Sequence, residues 1–186
     1  MPSQPIESPD DIVIEISNVW KIFGDQADEA LIAIKEEGLN KSQVHDTYNA
    51  VVGVADVSLS VKRGEIFCVM GLSGSGKSTL VRHLNRLLEP TDGKILINGT
   101  DVMALNPQEL QKFRNLKIGM VFQNFALLPH RSVLDNVAMP LEIRSMNKNE
   151  RTRLASKMLK TVELDAWGNK FAHELSGGMQ QRVGLA

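Results

Sequence analysis

At 186 residues, with 42% apolar and 23% charged side chains, the chain has the make-up of one globular domain and is neither fibrous nor low in complexity. Its 21 Lys plus Arg against 22 Asp plus Glu give a formal net charge of −1, which argues against a partner held by bulk charge, such as nucleic acid or anionic lipid. The single Cys68 excludes an internal disulfide and a Cys-rich zinc site; with neither a signal-peptide pattern nor an apolar run near the roughly 20 residues of a membrane span, a soluble cytosolic domain is expected.

Residues 1–10 hold three prolines and read as a disordered tail. Residues 12–19 alternate as a strand. Residues 24–50 are polar except where Ala27, Ala30, Leu31 and Ile34 share a helical face, with Gly38 as the C-cap and a second short helix from Asn40. Residues 57–61 alternate as another strand, and Arg63-Gly64-Glu65 is a turn. Ile66–Met70 is a short apolar run expected to form a buried parallel strand, with Cys68 an inert core residue. Lys77–Leu88 has helical spacing and is stopped by Pro90 to Gly93. Lys94–Ile97 and Lys117–Phe122 read as two further strands. Between them Asn106, Pro107 and Glu109 have the form of a capped helix start. Ser132 and Asn147 are N-caps of two more helices, the second with Leu154, Met158, Leu159 and Val162 on one face. The order is that of an α/β core with an inserted helical stretch.

Gly71-Leu72-Ser73-Gly74-Ser75-Gly76-Lys77-Ser78, followed by Thr79, fits the pattern GxxxxGK plus Ser or Thr. Glycines at Gly71, Gly74 and Gly76 let backbone amides turn inward as a nest for phosphate oxygens, and the following helix aims its positive end at the same anions. Lys77 brings a compact charge to the β and γ phosphates, and Ser78 offers a hydroxyl to Mg²⁺. The expected apolar strand precedes the loop and an amphipathic helix follows it. A glycine-rich turn at a helix start explains the lysine and its offset poorly.

Leu175-Ser176-Gly177-Gly178-Met179-Gln180-Gln181-Arg182 is a second helix start, with Ser176 as N-cap and two glycines in the first turn. Bare amides and a helix dipole form an anion site there. Taken alone, an ordinary Ser-capped helix explains it as well.

These residues carry a resemblance. The octapeptide from Leu175 resembles the signature motif of ABC-type ATPases, the Gly71–Thr79 loop their Walker A, and Val121-Phe122-Gln123 with Asn124–Pro129 their Q-loop, all in the family's order. Residues 19–24, the helical stretch through 38–41, residues 64–91 and residues 120–137 are similar to ATP-binding subunits of importers for glycine betaine, proline betaine and related quaternary amines. The resemblance implies an α/β P-loop NTPase fold of ABC type. It would have a mixed sheet core, an antiparallel β subdomain and an inserted helical subdomain over about 132–175, with a subfamily-type helical insert at about 25–50.

It also implies roles for individual residues. Phe23 would stack on adenine, with Trp20 the runner-up. Gly71, Ser73, Gly74, Ser75, Gly76, Lys77, Ser78 and Thr79 would hold the phosphates of ATP. Ser78 and Gln123 would bind Mg²⁺, with Gln123 also sensing the γ-phosphate. Ser176, Gly177 and Gly178 would bind the γ-phosphate held by a second copy in a head-to-tail dimer. Lys77, Gln123 and Ser176 are the catalytic candidates. Phe125–His130, with Leu127, Leu128 and Pro129 exposed, would face membrane permease subunits, themselves fed by a substrate-binding protein. The subunit would sit on the cytoplasmic face of the inner membrane, without nucleic acid.

The family's pattern continues past the signature into a strand ending in Asp-Glu, whose Glu polarises the attacking water. This sequence ends at Ala186 and holds no such pair after four apolar residues. The 186 residues are therefore expected to be an incomplete ATP-binding domain that binds ATP but turns it over poorly. Other readings are an ABC-type nucleic-acid or translation ATPase, and a nucleotide-binding module without catalysis.

Overall fold

The computed structural model describes residues 11–186; the expected tail over 1–10 lies outside them. They form two compact units, divided between Ile118 and Gly119.

The first unit is built on an antiparallel sheet in the order β2-β1-β3-β4, from β1 (Ile12–Phe23), β2 (Val51–Lys62), β3 (Asp92–Ile97) and β4 (Thr100–Asp101). β1 and β2 run well past the stretches their alternation predicts. The extra pairs bring Val19, Lys21, Ile22 and Phe23 opposite Val57, Val54, Val52 and Val51. Register shifts hide this from a period-two reading. Asn18 and Asp56 both take positive φ there, and Asn18 Nδ2 donates to Asp56 Oδ1 at 2.9 Å.

Two helices bridge β1 and β2: α1 (Ala27–Glu37) and α2 (Lys41–Tyr48). Gly38 ends α1 at φ +72, as expected. Asn40 opens α2 with a full capping box, accepting from Ser42 and Gln43 while the Gln43 side chain accepts from the Asn40 N–H. Ala30, Leu31 and Val44 of the pair bury against Ile22 and Ala50. Lys35 is bonded to Asp92 at the start of β3 at 2.5 Å.

The helix after the glycine loop, α3 (Lys77–Leu84), stops four residues short of the expected Leu88. Arg86 adopts φ +52, which breaks the ladder, and Arg114 of α4 (Pro107–Leu116) takes the carbonyls of Asn85 and Arg86 at 2.8 and 2.6 Å. α4 starts with the expected Asn106–Glu109 capping box. Ile16, Val19, Val54, Leu80, Ile95 and Phe113 form the main core of this unit.

Two expected strands do not form. Ile66–Met70 joins no strand ladder, with Ile66 and Met70 about nine-tenths exposed, and Cys68 is exposed rather than buried. Lys117–Phe122 likewise joins no ladder. A parallel strand exists only through neighbours on its hydrogen-bonding edges. The four paired strands among the described residues are all antiparallel, so the parallel part of the expected mixed sheet is absent from them.

In the second unit, α5 (Val133–Ile143), α6 (Lys148–Thr161) and α7 (Gly177–Leu185) pack through Val133, Val137, Ala155, Leu159, Leu164 and Val183. Ser132, Asn147 and Ser176 cap them as their sequences predict. Ala155 takes the core position on α6 that Met158 was expected to share; Met158 is exposed. No described helix is long and apolar enough to cross a membrane.

Candidate nucleotide site

The loop Gly71–Gly76 leads into the N-terminus of α3, whose first-turn amides and dipole favour an anion there; within the loop the Ser75 N–H donates to the Leu72 carbonyl at 3.2 Å. Gly74 and Gly76 take φ +78 and +88. At Gly76 more than conformation is at stake: a Cβ would lie 2.2 Å from the Gly53 carbonyl oxygen of β2. Glycine is therefore required both by φ and by the approach of the loop to the sheet. Lys77 reaches back across the loop, its ammonium donating to the carbonyls of Gly71 and Leu72 at 2.8 and 2.6 Å and to Ser75 Oγ at 3.4 Å. These bonds hold the positive charge against its own loop. Ser78 and Thr79 fall in the first turn of α3, with Ser78 exposed.

Gly53 joins this loop to the aromatic predicted to stack on a base. A Cβ on Gly53 would sit 2.5 Å from Phe23 Cε2. Phe23 thus fills the space left by the missing side chain of Gly53, and the glycine loop packs against the carbonyl of the same residue. The ring is 40% exposed, with Lys21 Nζ 5.3 Å from its centroid. Trp20 packs instead against the Ile22–Val44 core of the insert. Of the two aromatics, Phe23 is the one offered to solvent beside the loop. Sequence reading missed Gly53; its only signal is a glycine interrupting a valine-rich strand.

Beside the loop is a cavity of about 500 Å³, with walls from Val54, Val57 and Leu59 of β2, from Phe67–Met70, and from Ser75–Lys77. None of its described lining residues is a carboxylate. His83, on α3, is fully buried; its Nδ1 lies 2.7 Å from the Leu88 carbonyl, and Nε2 has no partner. Burial holds its pKa below the usual imidazole value, with the Leu88 carbonyl pulling the other way and the Lys21 charge adding to the depression.

Gln123 and Ser176–Gly178 belong to the second unit. Gln123 is exposed in a turn, followed by Phe125 and Ala126 at φ +57 and +54. Consecutive left-handed non-glycine residues cost energy and need support. Part of it comes from α7: a Cβ on Gly184 would touch the Phe125 carbonyl oxygen at 3.6 Å and Val121 Cγ1 at 3.8 Å, so this helix lies along the Gln123 segment. The turn itself supplies bonds from the Phe125 N–H to the Phe122 carbonyl and from the Ala126 N–H to the Asn124 carbonyl, and just beyond it Asn136 of α5 accepts from the Leu128 N–H at 2.7 Å and donates to the carbonyls of Leu128, Arg131 and Ser132. Leu127, expected to be exposed, packs into the helical core and leaves Pro129 and His130 outside. At α7, Ser176 Oγ accepts from the Met179 N–H at 3.3 Å, and Gly177 and Gly178 are exposed, with open space where a Cβ would stand.

The family model for "ABC transporter" matches residues 54–186. The chain is 50% identical over 175 residues to the glycine betaine/proline betaine transport system ATP-binding protein ProV of Escherichia coli K12, covering 94% of this chain and 44% of that protein. It is 47% identical over 176 residues to the trimethylamine N-oxide transport system ATP-binding protein TmoW of Pelagibacter ubique, covering 95% and 51%. It therefore spans about half the length of these relatives. Among solved structures, a dimeric ATP-binding cassette in a post-hydrolysis state, bound to ADP and Pi, superposes with a TM-score of 0.73 at 33% identity, over 92% of this chain and 67% of that one.

Proposed function

This chain belongs to the ABC transporter family, and from that premise we propose that it is the nucleotide-binding portion of an ATPase subunit that drives uptake of glycine betaine, proline betaine or another small methylated amine through a membrane permease. The nucleotide half of this reading is carried by the Phe23–Gly53–Gly76 stack, which sets an exposed aromatic beside a glycine loop with a lysine held against it. Adenine would stack on Phe23, worth roughly 1–3 kcal/mol for a base on an aromatic face. The phosphates would take the amides of Gly71–Thr79 and the Lys77 charge.

The loop fits Mg²⁺ delivered with the nucleotide: no described cluster of His, Cys, Asp and Glu could hold a metal alone, while Ser78, in the first turn of α3, is exposed. Ser78 and Gln123 would be its protein ligands, and when bound the ion would offset phosphate charge. Ser176, Gly177 and Gly178 would close on the γ-phosphate held by a second copy. The transport half rests on likeness to ATP-binding proteins of methylated-amine transport systems. It implies permease partners contacted through the Pro129–His130 tip, a substrate-binding protein upstream, and residence at the cytoplasmic face of the membrane.

Nucleotide binding without turnover is the second reading for these 186 residues. It is favoured by the lack of a carboxylate among the described residues lining the loop's cavity. Missing general-base catalysis typically costs roughly 100- to 10,000-fold. The test is calorimetric ATP binding and magnesium-dependent phosphate release on the same purified sample. Binding that is lost in Lys77→Ala supports the main reading, and no binding by the parent chain overturns it. Release well above the Lys77→Ala background removes the second reading. Co-purification with nucleic acid, in place of a membrane subunit, would defeat the transport assignment.

A further inference from the structure

The helical pair between β1 and β2 contributes to the wall of the glycine-loop cavity. Lys41, the first residue of α2, lines it together with Ser75, Gly76 and Lys77. Its backbone is well fixed: the Asn40 capping box sets the first turn of α2, and Val44, one turn on, is fully buried. Lys41 is exposed and takes no carboxylate partner among the described residues. Of the described lining residues only Lys41 and Lys77 carry charge, and the rest of the wall is largely apolar. Two like charges beside a low-dielectric wall, with no acid to offset them, favour an anion of more than one charge. The Lys77 ammonium is already shared among three oxygens of its own loop, so Lys41 is the cation with donors to spare.

We propose that Lys41 is a second phosphate-binding cation of this site, supplied by the helical insert, which pairs with the polyphosphate chain of a bound nucleoside triphosphate. The proposal rests on the ATP reading given above. It makes the insert part of the nucleotide site.

The experiment is calorimetric binding of MgATP, MgADP and adenosine to the parent chain, Lys41→Met and Lys41→Arg, at low and high salt, with thermal melts of each. Met keeps the stem and removes the charge. The expected result is roughly three- to tenfold weaker MgATP binding for Lys41→Met, the range for a charge-assisted contact at a part-exposed site. Binding should recover in Lys41→Arg, the loss should shrink at high salt, and adenosine should be unaffected. Equal MgATP affinity in Lys41→Met and parent overturns the proposal. So does an equal loss for adenosine, which would mark the stem as packing only. If Lys41→Met melts earlier, the Lys41→Arg result decides: failure to recover MgATP binding at parent-like stability counts against a phosphate contact. A parent chain that binds none of the three nucleotides sinks the ATP reading itself, and this proposal with it.

Discussion

The α1–α2 pair and the Ile66–Met70 segment lie in the same unit and end in opposite states. The pair is built from residues that solve their own problems: Asn40 and Gln43 satisfy the first amides of α2, Gly38 turns α1 off, and Leu31 and Val44 bury against a strand a few residues away. Ile66–Met70 is more apolar, yet Ile66 and Met70 are almost wholly exposed. Its backbone groups could be paired only by strands distant in sequence, and the described residues bring none to it. Apolar content alone does not make a strand, whereas a capped helix on a nearby strand needs little else.

The largest expected effect breaks the contrast at its junction. Gly76→Ala places a methyl group against the Gly53 carbonyl in a left-handed conformation, which costs roughly 1–3 kcal/mol from backbone strain before the clash is counted. ATP binding by calorimetry should be abolished. Next, Leu31→Ala should cost about 2–5 kcal/mol in urea unfolding, as other core truncations do, whereas Val69→Ala should stay within about 0.5 kcal/mol. Equal losses at the two positions would erase the distinction between the segments. Asn40→Ala should cost roughly 0.5–2 kcal/mol through the lost cap, measured in the same way.

Two smaller effects follow from titration. Because the folded His83 pKa is depressed below 6.5, the unfolded chain takes up this proton first as pH falls. Stability should decline from pH 6.5 down to the folded pKa, and His83→Asn should remove that slope from a melting series. The smallest change is at Asp92. The Lys35 hydrogen bond, helped by the Gly93 amide, holds this carboxyl below its usual range. Its contribution is present above the unfolded carboxylate pKa and lost as pH falls through the folded value. Both groups are about half exposed, so Lys35→Met should flatten the acid limb only slightly.

The same contrast explains what was legible in the sequence. Asn106, Ser132, Asn147 and Ser176 are caps in the structure because capping chemistry is local and written in a few adjacent residues. The glycine loop was legible for the same reason. The full lengths of β1 and β2 were not, because paired bulges at Asn18 and Asp56 shift the alternation. Nor were Gly53, Lys41 and Asn136, whose significance comes from what the fold sets beside them. Leu127 was misread as exposed because an apolar residue in a loop looks the same whether it meets a partner or its own core.

Gly53 has a consequence for how this site can change over time. The absent side chain at Gly53 leaves room for the Phe23 ring, while the Gly53 backbone carbonyl is what Gly76 closes upon. A larger residue at position 53 would strike the Phe23 ring, so the base platform depends on a bare position in the strand whose backbone the phosphate loop packs against. A lineage altering its base preference through Phe23 would have to do so within the space that Gly53 leaves.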